Sequence, residues 1–286
     1  MKEILYISEG NYMDYMDDCL SIGLKELYGP ELVDIEKRKH IYQSFEIQNA
    51  KKMYGGGMTV TRVIPDKEVD RSDIENKIKK KHYEIVVWGS IWRCNKYFDL
   101  VSKIYPMNRM AIVDGEDHQD LHPYWKSGVP YFKRELGNNM QKNIFPISFA
   151  LPTCKTNICN EKTKDFAYIS PSFKHTYIYT SELDYYQDYN ESRFAFTEKK
   201  AGWDCLRHYE IIGNGCIPYF HDIEKCPEHT LHNFPKEICK NVKNEITKYR
   251  AKNVYEKYAE AIHSWFISHN TTEKLAEYFI STIKNN

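Results

Sequence analysis

No stretch of the 286-residue chain approaches eighteen consecutive apolar residues, so no membrane-spanning helix is expected. The opening MKEILYISEG flanks a short apolar run with charge and offers no small-residue cleavage site, so no secretory signal is expected either. The eight cysteines, at positions 19, 94, 154, 159, 205, 216, 226 and 239, include no C-x-x-C pair. That argues against zinc-ribbon and dithiol redox motifs. In a chain of this length, scattered cysteines read as reduced thiols of a cytoplasmic protein, in a bacterium or, for a viral chain, in the host cytosol. An excess of charge is missing too, since 40 Lys and Arg balance 40 Asp and Glu. Duplex DNA and anionic membranes, partners recruited mainly by bulk charge, are therefore not expected, and any phosphate site must be local.

What is present is globular composition, with 42% hydrophobic residues, 28% charged residues and 14% aromatics. Apolar Ile4 to Ile7 reads as a strand, followed by a Ser-Glu-Gly-Asn loop and a helix with Tyr15, Cys19, Ile22 and Leu27 at roughly helical spacing. Asp73 to Lys81 reads as a charged helix, Glu84 to Trp88 as a buried strand, Lys96 to Ile104 as a helix and Met110 to Val113 as a strand. Strands alternating with helices predict a mostly parallel α/β sheet covered on both faces. Residues 146–164, rich in Pro, Thr, Asn and Lys, read as a linker. Beyond it, Phe166 to Ile169, Phe194 to Phe196 and Cys216 to Phe220 read as strands and Asp204 to Gly213 as a helix. Val254 to Ile283 reads as two amphipathic helices broken near His269 and Asn270. The expectation is two α/β halves, 1–150 and 151–286.

The most informative run is Glu198 to Phe220, EKKAGWDCLRHYEIIGNGCIPYF. Lys199 and Lys200 precede Gly202, where a backbone without Cβ can approach a ligand, and the next helix presents free N–H groups and a positive dipole end. Arg207 and Glu210 share a helix face through their i,i+3 spacing, with Glu210 about 9 Å along the helix from its start. Such a carboxylate suits two ribose hydroxyls while Arg207 and the lysines neutralise phosphate charge. An ordinary exposed Arg-Glu pair fits the same spacing.

The run GWDCLRHYExxxxGCIPYF, followed by Asp222, Pro227 and Phe234-Pro235-Lys236, resembles the nucleotide-sugar-binding segment of GT-B glycosyltransferases. The likeness is to the bacterial and viral group with R-x-x-E-x-x-x-x-G. It covers about residues 190–240. The resemblance implies two Rossmann-like domains facing across a cleft, with the second binding a nucleoside-diphosphate-sugar donor and the final helices packing back on the first. It implies donor contacts from Lys199, Lys200, Gly202, Arg207 and Glu210. Ser170, at a strand end, joins them on the donor side. The co-substrate takes the place of any cofactor, and the acceptor is a glycan, a lipid-linked sugar or another hydroxyl compound. Many retaining members carry an E-x7-E pair, and here Gly202 stands in the earlier position. Inversion versus retention therefore stays open.

In the first half, Asp114-Gly-Glu-Asp117-His118 follows a strand, and acids at strand ends of a parallel sheet face the ligand crevice. Asp114, Asp117 or His118 could deprotonate an acceptor hydroxyl. An acidic turn capping the next helix is the competing reading. The spacing misses the D-x-D of metal-dependent transferases, and no zinc set is complete, so no metal is expected. Two alternatives remain: a non-catalytic nucleotide-sugar or glycan-binding protein, and a viral transferase acting on modified DNA bases. Tyr185, Tyr186 and Tyr189 form a cluster that would serve either stacking or packing. Gly55-Gly56-Gly57 lacks the Lys-Ser/Thr of a P-loop and reads as a flexible turn.

Overall fold

The computed structural model describes residues 3–138, 140–159 and 161–286. Its architecture is α/β, built on two parallel sheets. The first sheet contains β1 (Ile4–Ile7), β2 (Leu32–Ile35), β3 (Ile85–Trp88), β4 (Met110–Asp114), β5 (Tyr131–Lys133) and β6 (Ile144–Pro146), in the order β2-β1-β3-β4-β5-β6. The second contains β7 (Lys164–Phe166), β8 (Ser192–Thr197) and β9 (Ile217–Phe220), in that order. The helices of the first half are α1 (Tyr15–Tyr28), α2 (Ile47–Ala50), α3 (Ile74–Lys79) and α4 (Phe98–Ser102). Those that follow are α5 (Glu182–Glu191), α6 (Leu206–Gly213), α7 (Lys236–Ile246), α8 (Ala251–His269) and α9 (Thr272–Lys284).

The central strands are apolar on both faces, as a doubly covered parallel sheet requires. Side-chain alternation sends Tyr6, Val87 and Val113 into a core under α1 and α9, while Leu5, Val86 and Ile112 pack with Ile74, Ile78 and Phe98 of α3 and α4. α1 begins where the Asp14 carboxylate accepts from the amides of Met16 (3.1 Å) and Asp17 (3.3 Å), and it ends at Gly29, whose φ of 56° favours glycine.

The first sheet reverses its build direction between β1 and β3, the switch point beside which ligands bind in open sheets. The second is trimmed to three strands. β7 lies two residues earlier than the expected Phe166 to Ile169, and the expected helix at Lys96 to Ile104 shortens to α4.

Residues 146–164 do not form an exposed linker throughout. Ile147, Ser148, Phe149, Ala150 and Leu151 are buried, and four of them join the core cluster that continues into Phe194, Tyr209, Ile217 and Phe266. One apolar core therefore runs under both sheets. α9 closes against α1, with Gly23 so near the Thr272 carbonyl that a Cβ would stand 1.9 Å from its oxygen. Thr272 Oγ1 donates to Glu26 at 2.7 Å.

Candidate functional site

The carboxyl ends of the two sheets face each other, as the contacts between their loops show. Immediately after β5, Arg134 donates through Nε to the Gly115 carbonyl at 2.8 Å and through Nη1 to the carbonyl of Asp204, which lies between β8 and α6. Its Nη2 pairs with Asp117, and the guanidinium stacks 4.6 Å over the Phe149 ring. The neighbouring Glu135 accepts from the Asp204 amide at 2.8 Å. Asp204 itself is buried and accepts from the Phe149 amide (2.9 Å) and the Tyr209 hydroxyl (2.7 Å). Burial raises its carboxyl to about 7, although the Arg134 charge pulls the other way.

Gly202 belongs to this clasp. A Cβ there would sit 2.5 Å from Glu135 Oε1, so its bareness admits the opposite half of the protein.

In the second half, α6 starts after an extended Cys205 and turns Glu210 inward. Glu210 is 7% exposed, not the surface carboxylate its spacing suggested. Its Oε2 accepts from Tyr185 at 2.6 Å and its Oε1 from Thr59, which comes from the first half. Burial raises the Glu210 carboxyl above its ordinary range, while the two hydroxyls and the Arg207 charge oppose that shift. The competing reading, an exposed Arg207–Glu210 ion pair, does not hold, since the two do not pair. Arg207 instead donates to the Tyr177 hydroxyl at 2.9 Å, because Glu210 faces the opposite half.

Lys200 pairs with Glu198 at 3.1 Å and donates to the Pro171 carbonyl at 2.8 Å, joining the loops after β7 and β8. Lys199 is exposed, 6.0 Å over the Trp203 ring. Among the described residues, no carboxylate lies within ion-pair distance of Lys199 or Arg207. Ser170 sits in the β7 loop with its amide donating to Thr176 Oγ1 at 3.0 Å. The tyrosine cluster is mostly packing: Tyr185 and Tyr189 are buried, and their hydroxyls are bonded to each other at 3.0 Å.

In the first half the three expected residues separate. Asp114 is fully buried and accepts from Lys133 Nζ (2.7 Å), Trp92 Nε1 (2.9 Å), the Glu116 amide (3.2 Å) and the Tyr131 hydroxyl. With four donors on two oxygens, it braces the strand end and offers no free lone pair to a substrate. Asp117 and His118 are exposed; Asp117 holds Arg134, and His118 lies edge-on to Trp92 at 5.3 Å.

Beside Ser90, which the sequence places at a strand end, stands a cluster between β1, β3 and β4 whose Asp14, Arg93 and Glu116 the sequence did not single out. Asp14 accepts from Ser90 Oγ at 3.0 Å, Arg93 lies 3.1 Å from Asp14 and pairs with Glu116, and Tyr12 stacks 4.6 Å from the Arg93 guanidinium. The exposed rings of Tyr12 and Trp92 flank it. Its available signal was position, because the loops at Glu9-Gly10 and Gly89-Ser90 both follow apolar strands. Among the described residues, no group of three His, Cys, Asp or Glu side chains is placed to hold a metal ion.

No family model matches the chain, and no curated protein is found similar to it. Among solved structures, it is similar to an alpha-glucosyltransferase in complex with UDP and a 13-mer DNA containing a central A:G mismatch. The TM-score is 0.48 at 10% identity, over 99% of this chain and 100% of that one.

Proposed function

We propose that this protein is a glycosyltransferase that moves a sugar from a nucleoside-diphosphate donor, held by the second half, to a hydroxyl acceptor, held by the first. The observation that carries the reading is Glu210: an inward-facing carboxylate on α6 at the mouth between two parallel sheets, with the acid-free cations Lys199 and Arg207 on the same side. Ribose hydroxyls donate to that carboxylate, and the cations stabilise charge developing on the departing diphosphate. The basic side chains serve this purpose without a metal. Of the residues expected to act as base, Asp117 and His118 keep access to solvent and take that role here, close to the Asp14–Arg93–Glu116 cluster and its exposed rings.

The saturated Asp114 favours one other reading, a nucleotide-sugar-binding protein without turnover. A thermal-shift panel of UDP, ADP, GDP, CDP and their sugars tests the donor site. A ligand at 100 times its Kd adds about 2.7 kcal/mol of stability. Silence across the panel would remove the donor reading. Nucleotide release from a binding sugar nucleotide, stimulated by hydroxyl acceptors, separates the transferase from the binding protein.

A further inference from the structure

The first half reaches into the proposed donor site. Between β2 and α3 the chain runs out along Lys51 to Gly56, all but Met53 of them exposed, and returns through buried Thr59, Val60 and Thr61. Gly55, Gly56 and Gly57 have φ of 65°, 68° and 66°. Gly57 also admits no side chain, because a Cβ would lie 2.2 Å from the Ala50 carbonyl oxygen. Thr59, a β-branched residue, is held at φ 72°, a conformation that persists only where surrounding contacts enforce it.

Those contacts all come from the second half. The Thr59 hydroxyl donates to Glu210 Oε1 and lies 2.8 Å from the Tyr186 hydroxyl, and its amide donates to Glu182, which Lys155 holds in turn. Met58 packs against the cluster containing Ala167, Ile169 and Tyr185.

We infer that Thr59 stands in for a donor ribose hydroxyl on Glu210, and that Met53–Thr59 is a strap that must leave this carboxylate before the nucleotide sugar enters. The inference rests on the reading of Glu210 given above. Opening is local. The base of the strap is fixed to the β2 side, where the amides of Arg62 and Val63 donate to the carbonyls of His40 and Ile41 at 2.8 Å and the Gln43 amide to Ile64 at 2.9 Å. Glu210 keeps its Tyr185 partner and Glu182 keeps Lys155 when Thr59 departs. The three glycines supply a hinge without side chains, and the backbone strain at Thr59 is released on opening.

The test is calorimetric titration of UDP, ADP, GDP and CDP into wild type and into Thr59→Ala, Thr59→Ser and Glu210→Gln variants. Removing the competing hydroxyl is expected to tighten the nucleotide that binds by about tenfold, the worth of one hydrogen bond to a charged group. Thr59→Ser, which keeps the hydroxyl, stays near wild type. Equal or weaker binding by a folded Thr59→Ala protein overturns the strap.

Should that variant not fold, amide hydrogen exchange on the wild type decides: faster exchange over residues 53–59 with saturating nucleotide supports release, and unchanged or slower exchange refutes it. Glu210→Gln separates the two readings. If it binds nucleotide like wild type, the donor reading fails; if it weakens binding while Thr59→Ala does not tighten it, the strap alone fails.

Discussion

Replacing Arg134 with Met tests whether the two halves are held by one buried charge. Arg134 is 1% exposed; its guanidinium pairs with buried Glu135 at 3.2 Å and with Asp117 at its outer edge, donates to the backbone carbonyl of Asp204, and acts on the buried Asp204 carboxyl through its charge. Methionine keeps much of the stem and its packing on Phe149 but leaves those carboxylates without a counter-charge. Breaking a buried pair in this way costs about 3 to 5 kcal/mol. At an unfolding entropy of about 2.1 cal/mol/K per residue, the 286-residue chain should lose about 5 to 8 °C in Tm.

The pH dependence is the sharper readout. The Asp204 carboxyl lies at about 7 in the folded protein, above its unfolded value. Its favourable contribution is therefore complete at low pH and declines as pH rises through the folded value. Arg134 pulls that value down, so without it the carboxyl titrates higher and stability continues to fall beyond pH 7. Melts at pH 6 and pH 8.5 should show a wider gap between variant and wild type at the higher pH. A gap under about 2 °C, or one equal at both values, would refute the clasp.

Glu210→Ala should cost about 1 to 3 kcal/mol, because it removes the acceptor of the buried Tyr185 hydroxyl and leaves Thr59 only its Tyr186 partner, while Glu210→Gln, able to accept from one and donate to the other, should cost less; thermal melts compare them. Asp114→Asn should destabilise by about 3 to 5 kcal/mol by leaving buried Lys133 unpaired, as denaturant titration will show, whereas an intact midpoint with lost turnover would restore Asp114 as a base. If Asp117 is the base, Asp117→Asn should lower kcat by about 10² to 10⁴-fold with donor affinity nearly constant, measured by steady-state kinetics. Lys199→Ala should weaken nucleoside diphosphate binding by about tenfold in calorimetry without moving Tm, since its side chain is exposed and has no acid partner.

Much of the framework was legible because a strand buried on both faces writes itself as an apolar run. Ile4 to Ile7, the strand ending at Trp88, Met110 to Val113 and Ile217 to Phe220 follow that rule, and the break between α8 and α9 falls at Asn270 as the periodicity indicates. β2, β5 and β6 hid because they carry Asp34, Lys133 and Pro146. Asp34 is paired with Lys25 of α1 at 2.7 Å and Lys133 with Asp114 of β4, partners on other elements that make a buried charge tolerable in a strand. The helix α5 was obscured by Asp, Glu, Gln and Asn around its tyrosines, and its contacts with β8 and α6 supply the burial its composition lacks.

The site was less legible than the fold, for a physical reason that Gly202 and Glu210 illustrate together. Both were selected by local rules: an absent Cβ invites close approach, and a carboxylate three residues after an arginine invites an ion pair. Each rule identified a constrained position but not what constrains it. Gly202 is pressed by Glu135, 67 positions earlier, and Glu210 is engaged by Thr59, 151 positions earlier. These neighbours come from the opposite half, so no window of sequence around residues 198–220 contains them. The same geometry couples the two outcomes: the clasp through Arg134, Glu135 and Gly202 fixes how closely the halves approach, and that separation lets a strap anchored beside β2 reach α6. A Gly202→Ala variant should therefore act at a distance, since its Cβ pushes on the Glu135 carboxylate and widens the mouth. The Thr59–Glu210 contact should loosen, and amide exchange over residues 53–59 should quicken even without nucleotide. Unchanged exchange there, in a variant whose Tm has dropped, would mean that the clasp and the strap are independent.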